Sequence, residues 1–253
     1  MYYKQKNNQE ESTMSDETRV ERRENNVTKK GEKIFTEKAF NEFNKAIISG
    51  RIETEFEYNH NVLWEKFYRT RVIVKGLNGK EDYVPIVVSE LLIGQQEKMN
   101  TSLKGKFVEV SGEFRSYSRW GDDGLKHLDL FIFVREINIY EDENEYKITD
   151  KNLIYLDGYI HKPTLFRITP LGRRITDLII LVNRPKKRTD CIPCIAWGRD
   201  AQMTSEFEVG NRVRLYGRVQ SRKYLKRYSP DSDEGEYREA YEISIIRIQK
   251  VEE

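Results

Sequence analysis

The chain has 253 residues, with 44 Lys/Arg against 42 Asp/Glu for a formal net charge of +2, and only two cysteines. That length accommodates two domains of about 100 residues plus a tail, and so few cysteines exclude a disulfide-stapled secreted scaffold. No run of about 18 apolar residues exists to span a membrane, and the polar start, Met1 to Lys33, does not read as a signal peptide, so a cytoplasmic protein without membrane contact is expected.

Residues 1–33 are rich in Asn, Glu, Lys, Arg, Ser and Thr and poor in large aliphatics. Such a segment cannot bury enough surface to offset its ordering entropy, and a disordered charged tail is expected there. Ile34 to Ile48 carries apolar residues at helical spacing (Phe35, Ala39, Phe40, Phe43, Ile47), which predicts a lead-in helix. The following segments read as strands over Ala46–Glu57, Phe67–Lys75 and Asp82–Val88, a helix near Glu90–Met99, then strands over Lys106–Tyr117 and Leu125–Tyr140. From there the pattern repeats. Strands are expected over Asn152–His161, Ile175–Val182 and Asp190–Trp197, a short helix over Arg199–Phe207 ended by Gly210, and strands over Arg212–Arg222 and Tyr237–Val251.

The repeat is visible residue by residue. Asn44, Gly50, Asp82, Val84 and Pro85 recur 108 positions later as Asn152, Gly158, Asp190, Ile192 and Pro193. Gly105, Val108, Gly112 and Ser116 recur 105 positions later as Gly210, Val213, Gly217 and Ser221. A domain-sized period means tandem copies rather than a solenoid, with boundaries at about 34–145 for a divergent first domain and 151–253 for the second. Five strands with a helix between the third and fourth is the order of an OB-fold, a partly open Greek-key barrel. The expected fold is therefore all-β with short helices: two tandem five-stranded OB-fold barrels preceded by the disordered tail. Val213, Leu215, Gly217 and Val219 share one face of a strand while Arg212, Arg214, Tyr216 and Arg218 share the other, as a half-buried barrel strand requires. Gly50 and Gly158 fall inside first strands, where glycine permits the bend or bulge that lets one strand serve both halves of a barrel.

Charge is unevenly divided. Residues 1–150 hold 24 Lys/Arg against 28 Asp/Glu, whereas residues 151–253 hold 20 against 14, and between Lys162 and Arg227 there are 16 basic and 5 acidic residues. This is either a well-solvated charged face or the electrostatic footprint of a phosphate-binding surface.

The second copy resembles the bacterial single-stranded DNA-binding protein (SSB) family. The resemblance runs through Asn152-Leu-Ile-Tyr-Leu-Asp-Gly158, the hairpin Pro163-Thr-Leu-Phe-Arg167-Ile-Thr169-Pro-Leu-Gly172, the block Ile192-Pro-Cys-Ile-Ala-Trp197-Gly198, and Val209-Gly-Asn-Arg-Val-Arg-Leu-Tyr-Gly217-Arg-Val-Gln-Ser-Arg222-Lys223-Tyr224. It implies that Trp197 and Tyr224 occupy base-stacking positions and that Arg167 and Arg222 lie on the binding face. Two other aromatic positions of the family hold Lys186 and Cys191 here, exchanging stacking for charge. The resemblance also implies oligomers, and with two folds per chain a homodimer holding four. The family's acidic, aromatic-ended recruitment tail is not matched at Lys250-Val-Glu-Glu253, so partner recruitment by that route is not expected.

Beside the resemblance stands a physical case. Unpaired bases stack on aromatic faces while a basic groove follows the backbone. Trp197 beside Arg199, and the run Arg222-Lys223-Tyr224, interleave both residue types. With Arg167, Arg174 and Lys186 they form the expected nucleic-acid-binding set. Candidate contacts of the first copy are Tyr83, Tyr117 and Trp120. Single-stranded DNA is thus the expected partner, with roles in replication, recombination or repair. An RNA-binding OB protein remains an alternative, as does a protein-interaction module in a replication or mobile-element complex.

Other signals are weaker. Cys191-Ile-Pro-Cys194 has CxxC spacing but lies on a strand, where positions i and i+3 point to opposite faces. Only His60, His127 and His161 could complete a zinc site. The chain carries no nucleophile elbow, phosphate-binding glycine loop or HExxH pattern, so neither an enzyme nor a cofactor is expected.

Overall fold

A computed structural model describes residues 43–76, 79–94, 102–121, 124–141, 151–227 and 234–252. The expected tail and residues 34–42 of the expected lead-in helix lie outside these, as do residues 95–99 of the helix expected after Glu90. Among the described residues, twelve strands and two short helices follow in order. They are β1 (Asn44–Ile52), β2 (Glu57–Val62), β3 (Glu65–Lys75), β4 (Glu81–Ser89), α1 (Glu90–Gly94), β5 (Phe107–Trp120) and β6 (Lys126–Tyr140), then β7 (Asn152–Ile160), β8 (Leu165–Ile168), β9 (Arg174–Arg184), β10 (Arg188–Trp197), α2 (Gly198–Thr204), β11 (Arg212–Arg227) and β12 (Gly235–Lys250).

Asn44–Ile48 is strand, not the end of a helix. Its Ala46, Ile47 and Ile48 pair on one side with β5 and on the other with β7. Two hydrogen-bonded edges and β-branched side chains outweigh a helical spacing over so few residues.

Each half closes into a barrel. In the first, β1 pairs with β5 and, at Arg51 and Ile52, with β3, and the circuit runs through β4 and β6 back to β5. A short parallel contact, Ile86 opposite Ile132, closes it. The second half repeats this through β7, β9, β10, β12 and β11, closed by Cys194 opposite Ile243. These are the five expected strands of each copy. Each half adds a short strand, β2 or β8, bound only to its hairpin partner β3 or β9. Both additions are largely exposed, so they show no apolar alternation in the sequence.

The recurring glycines sit where strands cross. A Cβ on Gly50 would overlap the Ile73 carbonyl oxygen, and one on Gly158 the Leu181 carbonyl oxygen. The bulges themselves lie on the fifth strand of each copy, at Arg135 opposite the Ser111–Gly112 step and at Ile246 opposite the Tyr216–Gly217 step. Because the obstacle at Gly50 is backbone, Gly50→Ala is expected to lower stability by about 1–3 kcal/mol. A fall in the urea unfolding midpoint with far-UV circular dichroism retained would show it.

The two barrels form one compact unit, Phe40–Glu253. β1 and β7 run antiparallel edge to edge, from Asn44 opposite Leu156 to Ile48 opposite Asn152. Ala46 faces Ile154, its own counterpart 108 positions on, so a local two-fold axis passes between them. Buried side chains reinforce the junction. The Asp82 carboxylate accepts the Ser221 N–H (Oδ1, 3.0 Å), and the Ser221 hydroxyl oxygen accepts the Tyr83 N–H at 3.1 Å. The repeat reciprocates: Asp190 Oδ1 accepts the Ser116 N–H at 2.7 Å and Ser116 Oγ accepts the Cys191 N–H at 2.8 Å. Within each barrel, Asn44 bridges the backbone of Phe114 and Asn152 that of Val219, donor and acceptor both used. The polar residues that mark the repeat are those that fix strand pairing and join the barrels.

Candidate nucleic-acid interface

Strand alternation sets the surface of the second barrel. Arg167 of β8 lies opposite Ile175 of β9, and Ile175 opposite Trp197 of β10, so the three form one row across the sheet. Ile195, two residues before Trp197, faces Ser244 of β12, and the Trp197 indole N–H donates to the Ser244 hydroxyl at 3.2 Å. This bond fixes the plane of a ring that is 37% exposed. Further along that face, Ser244 and Glu242 lie opposite Arg218 and Gln220, and Arg222 and Tyr224 continue the row on β11. The Arg222 guanidinium lies 5.6 Å from the Tyr224 ring centroid, and that ring is 38% exposed. Trp197, Tyr224, Arg167 and Arg222 therefore share one side of the barrel, while Lys223 projects to the other.

Two carboxylates hold these arginines in place. Arg167 forks onto Asp177, Nε to Oδ2 at 2.8 Å and a terminal nitrogen to Oδ1 at 3.2 Å, and this hydrogen-bonded pairing raises its pKa. Arg222 Nε lies 3.9 Å from Glu242. Beside Trp197 opens a cleft of about 650 Å³ lined by Gly172, Arg173, Arg174, Trp197, Arg199 and Gln202. Its rim brings three of the expected residues together, Arg174, Trp197 and Arg199. Lys186 stands elsewhere, in a left-handed turn (φ 62°) beyond the start of β10. Trp197 ends that ten-residue strand, roughly 30 Å away at about 3.3 Å per residue.

Sequence reasoning passed over Arg173, although the Gly172-Arg-Arg174 step after the hairpin carried the signal. Arg212 and Arg214, on the basic face of β11, serve a structural purpose instead, since both grip the buried Asp157, at 2.9 and 2.8 Å. Of the two thiols, Cys194 is fully buried, and burial pushes both Cys194 and Cys191 upward, away from the thiolate. Among the described residues no cluster of His, Cys, Asp and Glu is placed to hold a metal ion, and no helix is long and apolar enough to cross a membrane.

The first barrel is built differently at the matching place. Where Ile175 faces Trp197 in the second barrel, Phe67 faces Ser89 in the first. The aromatic has changed strands and is covered: His60 stacks on Phe67 (4.8 Å, 5° between planes), and Phe67 packs against Phe133. Arg115 and Arg135 lie over Phe133 at 4.0 and 4.9 Å, and both pair with Glu113. Tyr83 lies at the barrel junction, its hydroxyl bonded to Glu81, whose charge raises the phenol pKa. Tyr117 and Trp120 stand exposed near the end of β5.

Comparison with known proteins bears on this geometry. Residues 151–251 match the model of the single-strand binding protein family. That match spans nearly the whole second barrel. Structures of the single-stranded DNA binding protein from Thermus aquaticus share the architecture of the whole tandem. The wild-type protein aligns with a TM-score of 0.62 at 16% identity, over 83% of this chain and 93% of its own. A deletion mutant aligns with a TM-score of 0.63 at 17% identity, over 83% and 95%. At such identity the likeness establishes the shared fold of two OB barrels. A search of curated proteins gives no match. In this second barrel Trp197 and Tyr224, for which the family resemblance implies stacking, are both partly exposed.

Proposed function

We propose that the chain binds single-stranded DNA with little sequence preference, through the second barrel, as a non-enzymatic protein of replication, recombination or repair. The observation that carries this reading is the union, on a barrel matched by the single-strand binding family model, of a half-open Trp197 with the Arg173, Arg174 and Arg199 rim. A strand of bases would stack on Trp197 and Tyr224, which read no base identity because every base has a π-face. Phosphates would compete with Asp177 and Glu242 for Arg167 and Arg222, arginines already held in position. Lys186 would meet the strand at the far end of β10. Tyr117 and Trp120 are the first-barrel contacts in this reading, which also includes a homodimer carrying four barrels.

Anisotropy of a labelled oligo-dT across a salt titration tests it. Neutralising three to five phosphates on a single strand gives a log–log salt slope of about −2 to −3.5. Competition by unlabelled oligo-dT over oligo-U of equal length would favour DNA as the partner. Binding that is undetectable even at low salt would instead support the protein-interaction alternative.

A further inference from the structure

The candidate nucleic-acid face of the second barrel carries a carboxylate that phosphate binding does not call for. Glu242 lies on β12 two residues from Ser244, the hydroxyl that anchors the Trp197 indole, so their Cα atoms are roughly 6–7 Å apart on one side of the sheet. On its other flank stands Arg222, which leads in turn to the Tyr224 ring. Glu242 is thus between the two aromatics, and its charge also reaches Arg167. A negative group at this place repels a phosphodiester backbone.

The fold does not require it. By the 105-residue offset Gln220, which faces Glu242, answers to Arg115, and Arg115 faces Phe131. The first barrel therefore has Phe131 where the second has Glu242. Asp177, the other carboxylate of the face, is fully used, both its oxygens accepting from Arg167. Glu242 is not. Its Oε1 accepts the Gln220 amide at 2.7 Å and lies 3.9 Å from Arg222, beyond hydrogen-bond reach. Among the described residues Oε2 accepts nothing, and the side chain is 16% exposed.

A carboxylate accepts hydrogen bonds and cannot donate them. Cytosine offers it the exocyclic N4 amine, a pairing that discriminates between bases. The one edge donor of thymine, N3–H, is flanked by two carbonyl oxygens that a carboxylate repels. Stacking ignores this difference, since both pyrimidines have a π-face. We propose that Glu242 reads the edge of the base seated between Trp197 and Tyr224 and favours an amino-bearing base, cytosine over thymine, at one position of a strand otherwise held without regard to sequence. This inference rests on the single-strand reading of the same face.

Anisotropy with labelled oligo-dC and oligo-dT of equal length, in neutral buffer, tests it on the full-length chain and on Glu242→Gln. Glutamine is isosteric and keeps an acceptor for Gln220, so the variant retains the fold. The wild type is expected to bind oligo-dC about five- to tenfold more tightly than oligo-dT. Glu242→Gln should bring the two affinities together, mainly by tightening oligo-dT, because the charge that repels the thymine carbonyls is gone. Were Glu242 only a support for Gln220 and Arg222, the variant would shift both affinities alike and leave their ratio unchanged, and that result overturns the proposal. Equal binding of the two oligonucleotides by the wild type overturns it as well, while leaving the single-strand reading in place. Binding of neither would sink the single-strand reading, and this role of Glu242 with it.

Discussion

Asp190→Ala lowers the stability of the chain by about 3–5 kcal/mol, read as a fall in the urea midpoint. Asp190 is completely buried at the junction of the barrels. Its removal leaves the Ser116 N–H without an acceptor and strips the partner from Arg184, whose Nε lies 3.1 Å from Oδ2 off the hydrogen-bond line. The buried Ser116 N–H left without an acceptor and the half-buried Arg184 left without its partner, more than the lost attraction, set the size of the effect. Burial holds the Asp190 pKa above its ordinary value, against the opposing pull of Ser116 and Arg184. A carboxyl whose folded pKa is raised contributes most in acid, and that contribution is lost as pH rises through the folded value. Asp190→Asn keeps an acceptor for Ser116 and does not titrate. The stability of the wild type relative to Asp190→Asn should therefore decline as pH rises above the ordinary carboxylate value of about 4. A relative stability that instead grew with pH would mean that Arg184 dominates.

Replacing Trp197 and Tyr224 together by alanine weakens oligo-dT binding by about 2–6 kcal/mol, the sum of two stacking contacts at about 1–3 kcal/mol each. The slope of affinity against salt should stay as in the wild type, because no phosphate contact is lost. Arg174→Ala and Arg199→Ala should do the reverse, flattening the slope with a smaller loss at low salt. Trp197 also covers the buried Ile175 beneath it, so thermal melts must accompany the titrations, and Trp197→Phe should retain most of the binding. Equal loss of affinity with a changed slope in the aromatic variant would argue that the site had collapsed.

Much of this architecture was legible because the repeat preserved residues whose roles are geometric. Gly50 and Gly158 mark strand crossings, and Asp82, Asp190, Ser116 and Ser221 mark the seam. Their recurrence announced two like barrels, though not that the barrels share a strand edge. Edge pairing depends on backbone groups, which no side-chain pattern spells out. The extra strand β2 escaped for a related reason: it is largely exposed, so alternation had nothing to register, and β8, exposed as well, was marked only by the hairpin of the family resemblance. At the site, Trp197 stood out as an aromatic beside charge. The covered stack of His60, Phe67 and Phe133 did not, because its members come from three strands and meet only after folding.

Covalent fusion of the two barrels removes a constraint that identical subunits cannot escape. The arginine that meets Asp82 is Arg218, reaching across from the second barrel, whereas Asp190 is met by Arg184 of its own barrel. Position 113, the counterpart of Arg218 by the 105-residue offset, is a glutamate occupied with Arg115 and Arg135. In a dimer of identical chains one residue would have to serve at both places, and any substitution would strike the interface twice. Here each half of the seam mutates singly, and the halves have become non-equivalent. Heredity can therefore revise one barrel while its neighbour keeps the original trade.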